Sequence, residues 1–469
     1  MLFNSIEYLI FLPIVFIIYW LLKSNYKNQN ILLLVSSYVF YGWWDYRFLS
    51  LIVFSSFLDY YVGQKIESAY GDKNKKRWLI VSLCSNLGLL GVFKYYNFFA
   101  ESFANTMSSI GWEVNALTLN IILPVGISFY TFQTLSYSID IYRKEIKASK
   151  DIVGFFTFVS LFPQLVAGPI ERASNLMPQI EGERKLNATL IKTGVFQIFI
   201  GLFRKVAIAD NLGVYVDSVY GNYEIHNGST LLVATVFYAF QIYFDFSGYS
   251  DIAIGSAKMF GFNFNRNFNL PYFSKTLTEF WRRWHMSLSF WLRDYLYISL
   301  GGNRKGIAIT YRNLLLTMLL GGLWHGSSWN FVIWGGIHGL FLSLEKYTFS
   351  ALKIKTFNAF GYLYTFIVVI VAWIFFRAPD FESASTIVST IFSFDFGSLF
   401  LGDINKFVNA VLLLTIGVAI DLRLFKSKVS LEEFGVRFST IRLSIIVSII
   451  ILLLCLFYST TENFIYFQF

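Results

Sequence analysis

Apolar runs long enough to cross a bilayer follow one another along nearly the whole chain, each separated from the next by a short loop carrying lysine or arginine. A bilayer leaves the backbone no water to bond with, so such runs can fold only as helices or as a closed barrel. At roughly 20 residues per crossing, the runs predict an all-α polytopic membrane protein with about eleven transmembrane helices. Shorter segments that enter without crossing, or lie at the interface, are expected between them.

Composition agrees. Over 469 residues the chain is 55% hydrophobic and 14% charged, with a mean hydropathy of +0.54, which is far more apolar than a soluble globular protein. No soluble domain of useful size fits between the runs, so residues 1–469 are expected to form one membrane-embedded domain. The net charge of +9 would suggest nucleic acid in a soluble protein, but here the cations sit in loops and report topology. Cys84 and Cys455 lie within apolar runs without metal-ligand or CxxC spacing, so buried free thiols are expected and a disulfide framework or zinc site is not. The first run lacks a basic leader and a small-residue cleavage site, which makes it a membrane helix rather than a secretion signal.

Lys65, Lys73, Lys75, Lys76 and Arg77 place the loop after the third run in the cytoplasm, and the parity then puts both termini on the extracytoplasmic side. Residues 78–93 and 119–140 read as the fourth and fifth spans. Residues 151–167 end in Gly168-Pro169 between two basic flanks, which reads as a re-entrant hairpin lining a cavity. Residues 262–312 are too charged to span, and Thr276 to Leu300 reads as an amphipathic helix at the cytoplasmic interface. Residues 314–344 enter and leave the membrane, with His325 in the glycine-flanked middle.

An ionisable residue inside a membrane is costly without partners or water, so it marks a functional site by default. His325, in Gly321-Gly322-Leu323-Trp324-His325-Gly326, and His285, in Trp281-Arg282-Arg283-Trp284-His285, are the leading candidates. His338 fits direct chemistry or packing between helices, and His226 lies in an Asn/Gly loop with no evident role. Arg282 and Arg283 fit either the phosphates of a polyanionic donor or anchorage to anionic headgroups, and Trp284 lies beside them. Asp245 and Asp251 stand six residues apart, off one helical face, with Ser247-Gly248 suggesting a break between them. Helix capping or salt bridging to a nearby arginine suits them better than an acid/base dyad. Residues 301–306 form a basic turn without Walker spacing. The last six residues, Phe464 to Phe469, are too few to span and too apolar to float, so residues 460–469 are expected to fold back into the protein.

Phe162 to Ile170, Phe280 to His285, Leu323-Trp324-His325-Gly326 and Trp373 to Arg377, taken in order, resemble the membrane-bound O-acyltransferases, in particular their bacterial alginate O-acetyltransferase branch. The resemblance implies a helical bundle around a central catalytic tunnel, a catalytic histidine at His325, a second functional histidine at His285, and acetyl-CoA as donor without a metal. It implies that Tyr466, in an F-x-Y-x-x-F ending, carries the acyl group. With no serine-esterase-like domain of its own, the chain would then need an extracytoplasmic SGNH-type O-acetyltransferase partner acting on a polysaccharide. D-alanine transfer to teichoic acid would use the same membrane chemistry. A polysaccharide transporter or flippase could show equal hydrophobicity, but no internal repeat supports it.

Overall fold

The structure is a computed structural model describing residues 1–22, 25–166, 168–352, 359–394, 396–458 and 464–465. Every regular element among them is helical. Five of these helices are long and apolar enough to cross a membrane, and Ile6–Leu21, Ile152–Leu165 and Thr440–Leu456 are shorter apolar helices. The chain forms two compact units, one of residues 1–194 and 256–265, the other of 195–255 and 266–469.

In the first unit a carboxylate holds three helices together. Asp59 on Leu49–Ser68 accepts from Ser82 (2.5 Å) and Asn86 (2.7 Å) on Asp72–Leu90 and from Ser138 (2.9 Å) on Ile127–Tyr142. Three hydrogen bonds shared between both oxygens are what make a buried carboxylate tolerable. Arg184 ties the helix Tyr26–Asp45 to the helix Ala173–Ile180, donating to the Tyr26, Gln179 and Ile180 carbonyls and to Asn30. The expected fourth span is longer than its apolar run, since helix continues from Asp72 to Ser109. The expected fifth span is shorter. It starts only at Ile127, because Pro124 precedes a left-handed Gly126 (φ 77°), where a Cβ would lie 2.7 Å from the Leu165 carbonyl oxygen.

The second unit contains the helical hairpin Ile307–His325 and Trp329–Leu352. Glycines let its backbones touch: a Cβ at Gly322 would collide with the Phe331 carbonyl, and one at Gly335 with the Met318 carbonyl. Small residues at a helix interface are the usual means of close approach in a membrane. Gly335→Ala is therefore expected to cost about 1–3 kcal/mol, because the obstacle is backbone that cannot swing away. Gly336→Ala is the control, since its Cβ would meet only the Leu319 side chain at 3.5 Å. Thermal midpoints in detergent should fall for the first variant and hold for the second.

Three expectations are corrected here. Ser247-Gly248 does not break the chain, for Gly228–Met259 is one continuous helix. Gly248 serves packing instead, with a Cβ placed 2.7 Å from the Gly201 carbonyl oxygen. The amphipathic helix expected over Thr276 to Leu300 is broken into Leu277–Trp281, Met286–Trp291 and the π-helical Leu292–Tyr297. Cys84 and Cys455 are exposed rather than buried. A helix apolar all round does not encode which face turns inward, so sequence could not orient these thiols.

Candidate active site

The break between Leu277–Trp281 and Met286–Trp291 occurs at His285, which adopts the left-handed conformation (φ 41°, ψ 54°) rare for a residue with a Cβ. Asn267 holds it there. Its backbone carbonyl accepts from Met286 N at 2.8 Å, and its side-chain Oδ1 meets Ser287 N (3.3 Å), Ser287 Oγ (2.9 Å) and His285 Nδ1 (3.1 Å). The Asn267 Nδ2 donates to Ser250 Oγ at 3.0 Å. Glu345 fixes the start of the same segment by accepting from Leu277 N, Thr278 N and Thr278 Oγ1. A carboxylate on exposed backbone N–H groups is favourable at a helix start.

His325 is the last residue of its helix, and Gly326 leaves in extended conformation. A Cβ at Gly326 would collide with the Phe331 ring, so any larger residue there would have to displace that ring. The His325 ring stands edge-on to Trp324 (5.0 Å), Trp334 (5.0 Å) and Phe376 (5.4 Å). Its centroid lies 6.3 Å from that of His285. Forty residues apart in sequence, the two imidazoles are 0% and 4% exposed and share one aromatic chamber. Burial pushes the His285 imidazole well below its usual range, to about 3, so it stays neutral at physiological pH.

His338 packs between helices, where its Nδ1 accepts from Trp281 Nε1 (3.4 Å) and its ring meets Trp334 at 4.8 Å. The His226 ring lies tilted against Phe400 at 4.8 Å. Trp284 is wholly buried, stacked on Phe280 and edge-on to Phe268. Arg283 pairs with Glu279 at 2.7 Å and donates to the Asn269 carbonyl, whereas Arg282 is exposed. Asp245 and Asp251 both form ion pairs: Asp245 with Lys205 (2.7 Å), which also binds Asp210 (2.7 Å), and Asp251 with Arg204 (2.7 Å), which also binds Asp421 (2.9 Å). Among the described residues no cluster of three or more His, Cys, Asp or Glu could hold a metal ion.

Tyr466 lies outside the described residues. The two residues just before it, Phe464 and Ile465, are buried in the second unit. Phe464 stacks on Tyr249 at 4.2 Å and meets Phe246 at 5.7 Å, Phe246 stands 4.7 Å from the His285 ring, and Ile465 N donates to Asp245 at 2.8 Å. Asn267, Glu345, Lys205 and Asp421 were not legible as site-building residues. Asn267 sits in Asn263-Phe264-Asn265-Arg266-Asn267, where the alternating asparagines are indistinguishable by sequence.

Residues 142–382 match the membrane-bound O-acyltransferase family. A probable alginate O-acetylase of Pseudomonas putida is 44% identical over 87% of this chain and 83% of its own length. A peptidoglycan O-acetyltransferase of Helicobacter pylori is 39% identical over 80% of this chain and 76% of its own. A teichoic acid D-alanyltransferase of Bacillus subtilis is 29% identical over 49% of this chain and 60% of its own. On this similarity, which takes in the histidine chamber, the chain belongs to the membrane-bound O-acyltransferase family and is a polytopic membrane O-acyltransferase.

Proposed function

We propose that this protein moves an acetyl group from cytoplasmic acetyl-CoA across the bacterial cytoplasmic membrane for O-acetylation of an exported or cell-envelope polysaccharide. The observation that carries the reading is the pair of buried imidazoles 6.3 Å apart, with the chain just before Tyr466 seated beside them. His325 acts as general base on the Tyr466 hydroxyl. The phenol oxygen attacks the thioester carbonyl, the new C–O bond forms as the C–S bond breaks, and the proton taken by the imidazole leaves with the CoA thiol. A phenol with a reference pKa near 10 ionises more readily than an alcohol and remains a good leaving group, which suits a relay.

In this reading the chain is one domain of about eleven spanning helices around a tunnel, with both termini extracytoplasmic. Exposed Arg282 offers a cation to the donor's phosphates on the cytoplasmic side, next in the chain to Arg283, which is paired with Glu279, and to buried Trp284. An extracytoplasmic SGNH-type partner takes the acetyl group from acetyl-Tyr466 and passes it to a glycan hydroxyl. The names of the alginate and peptidoglycan relatives support an acetyl group and a polysaccharide over D-alanine, whose relative matches a smaller share of the chain.

The test is intact mass and peptide mapping of the purified protein after incubation with acetyl-CoA. An acetyl adduct on Tyr466 is expected in wild type and absent in Tyr466→Phe and His325→Ala. Transfer to polymer by this chain alone, with no partner and with Tyr466→Phe as active as wild type, would refute the relay.

A further inference from the structure

The roles of the two histidines depend on which ring nitrogen carries the proton, and the hydrogen bonds around Asn267 decide it for one of them. A side-chain amide presents one acceptor and one donor end, normally interchangeable in appearance. Here the backbone removes the ambiguity. The oxygen end faces Ser287 N, which can only donate (3.3 Å), while the nitrogen end faces Ser250 Oγ at 3.0 Å. The same oxygen faces His285 Nδ1 at 3.1 Å. A neutral imidazole opposite an acceptor must place its proton there, and burial keeps His285 neutral.

We propose that Asn267 is a positioning residue that locks His285 as the Nδ1–H tautomer, so that Nε2 is an acceptor in the chamber. This rests on the acyl-transfer reading and assigns His285 its part in it. A tautomer with a lone pair at Nε2 cannot donate to a thioester carbonyl, so His285 does not polarise the acetyl donor. It accepts a hydrogen bond from a hydroxyl or thiol, the groups that gain and lose protons in acyl transfer. The left-handed backbone at His285 belongs to the same device, because it brings Met286 N and Ser287 N onto Asn267 while the ring turns to the same side-chain oxygen. Among the described residues, His325 is a titratable group facing His285, at 6.3 Å between centroids.

The experiment is nitrogen NMR of full-length protein in lipid nanodiscs with labelled histidine. The chain has four histidines, and a His285→Gln sample assigns the resonance. Wild type should show protonated Nδ1 and bare Nε2 at His285. Asn267→Ala should mix the tautomers and lower kcat by about tenfold or more, with KM for acetyl-CoA within about threefold of wild type. Asn267→Asp, which keeps an acceptor for both Ser287 N and Nδ1, should retain the tautomer and recover most of kcat. Protonated Nε2 in wild type, or an unchanged tautomer in Asn267→Ala, overturns the proposal. The spectra need no acetyl-CoA, so they decide the tautomer even if acetyl-CoA proves to be the wrong donor.

Discussion

His325→Gln is expected to lower acyl transfer by about 10²–10⁴-fold, the usual contribution of a positioned proton acceptor, while leaving the thermal midpoint close to wild type. Glutamine is the better probe of chemistry than alanine, because the ring fills a chamber walled by Trp324, Trp334 and Phe376. Truncating it would add a cavity cost to the lost base. The measurement is CoA thiol release in a single turnover, with donor binding followed separately so that a loss in kcat is not confused with a loss in affinity. His338→Gln provides the contrast. Its imidazole accepts from Trp281 and packs among aromatic rings, and a glutamine oxygen can take the same N–H, so turnover should remain within about threefold of wild type. If His325→Gln turned over near the wild-type rate, the base would be His285, whose Nε2 is the other acceptor in the chamber.

The two histidines were legible because ionisable groups stand out in an apolar chain, and the penalty for burying them makes them conspicuous. What brings them together was not legible. His285 needs a left-handed backbone that nothing in Trp284-His285-Met286 announces, and its clamp comes from Asn267, one of several similar asparagines. Asp245 and Asp251 were visible as carboxylates in apolar surroundings, and salt bridging to arginine was the better expectation for them; Arg204 fulfils it for Asp251. The lysine on Asp245 was hidden for a physical reason. Lys205 lies near the end of an apolar run, where a lysine ordinarily reaches to the interface, yet here it is 2% exposed and bound between two carboxylates. Exposure failed in the opposite direction for Cys84 and Cys455, since lipid accepts the faces that water would reject. Pro124 and Gly126 were in plain view, and a helix start after them follows from their own chemistry. The apolar run through them masked it.

Arg204→Leu is expected to destabilise the protein by about 3–5 kcal/mol, the cost of removing one partner from a buried ion pair. Arg204 binds Asp251 at 2.7 Å and Asp421 at 2.9 Å, with all three side chains at most 13% exposed. The leucine removes the cation that bonds both carboxylates and leaves them only the electrostatic attraction of Arg266, which does not ion-pair with either. The hydrogen bonds that remain come from neutral groups: Gln197 on Asp251 at 2.8 Å and the Tyr243 hydroxyl on Asp421 at 2.7 Å. Those bonds cannot offset a bare charge, so each aspartate must either take up a proton or open the packing to water. Adding Asp421→Asn removes one of the charges while keeping an acceptor for Tyr243. The double variant should therefore regain a substantial part of the loss, and a double-mutant cycle read from unfolding in detergent measures that coupling. Strict additivity would mean that water already reaches these carboxylates. Because Asp251 lies on the same continuous helix as Asp245 and Ser250, which hold Ile465 and Asn267, the loss should also appear in turnover before the protein unfolds.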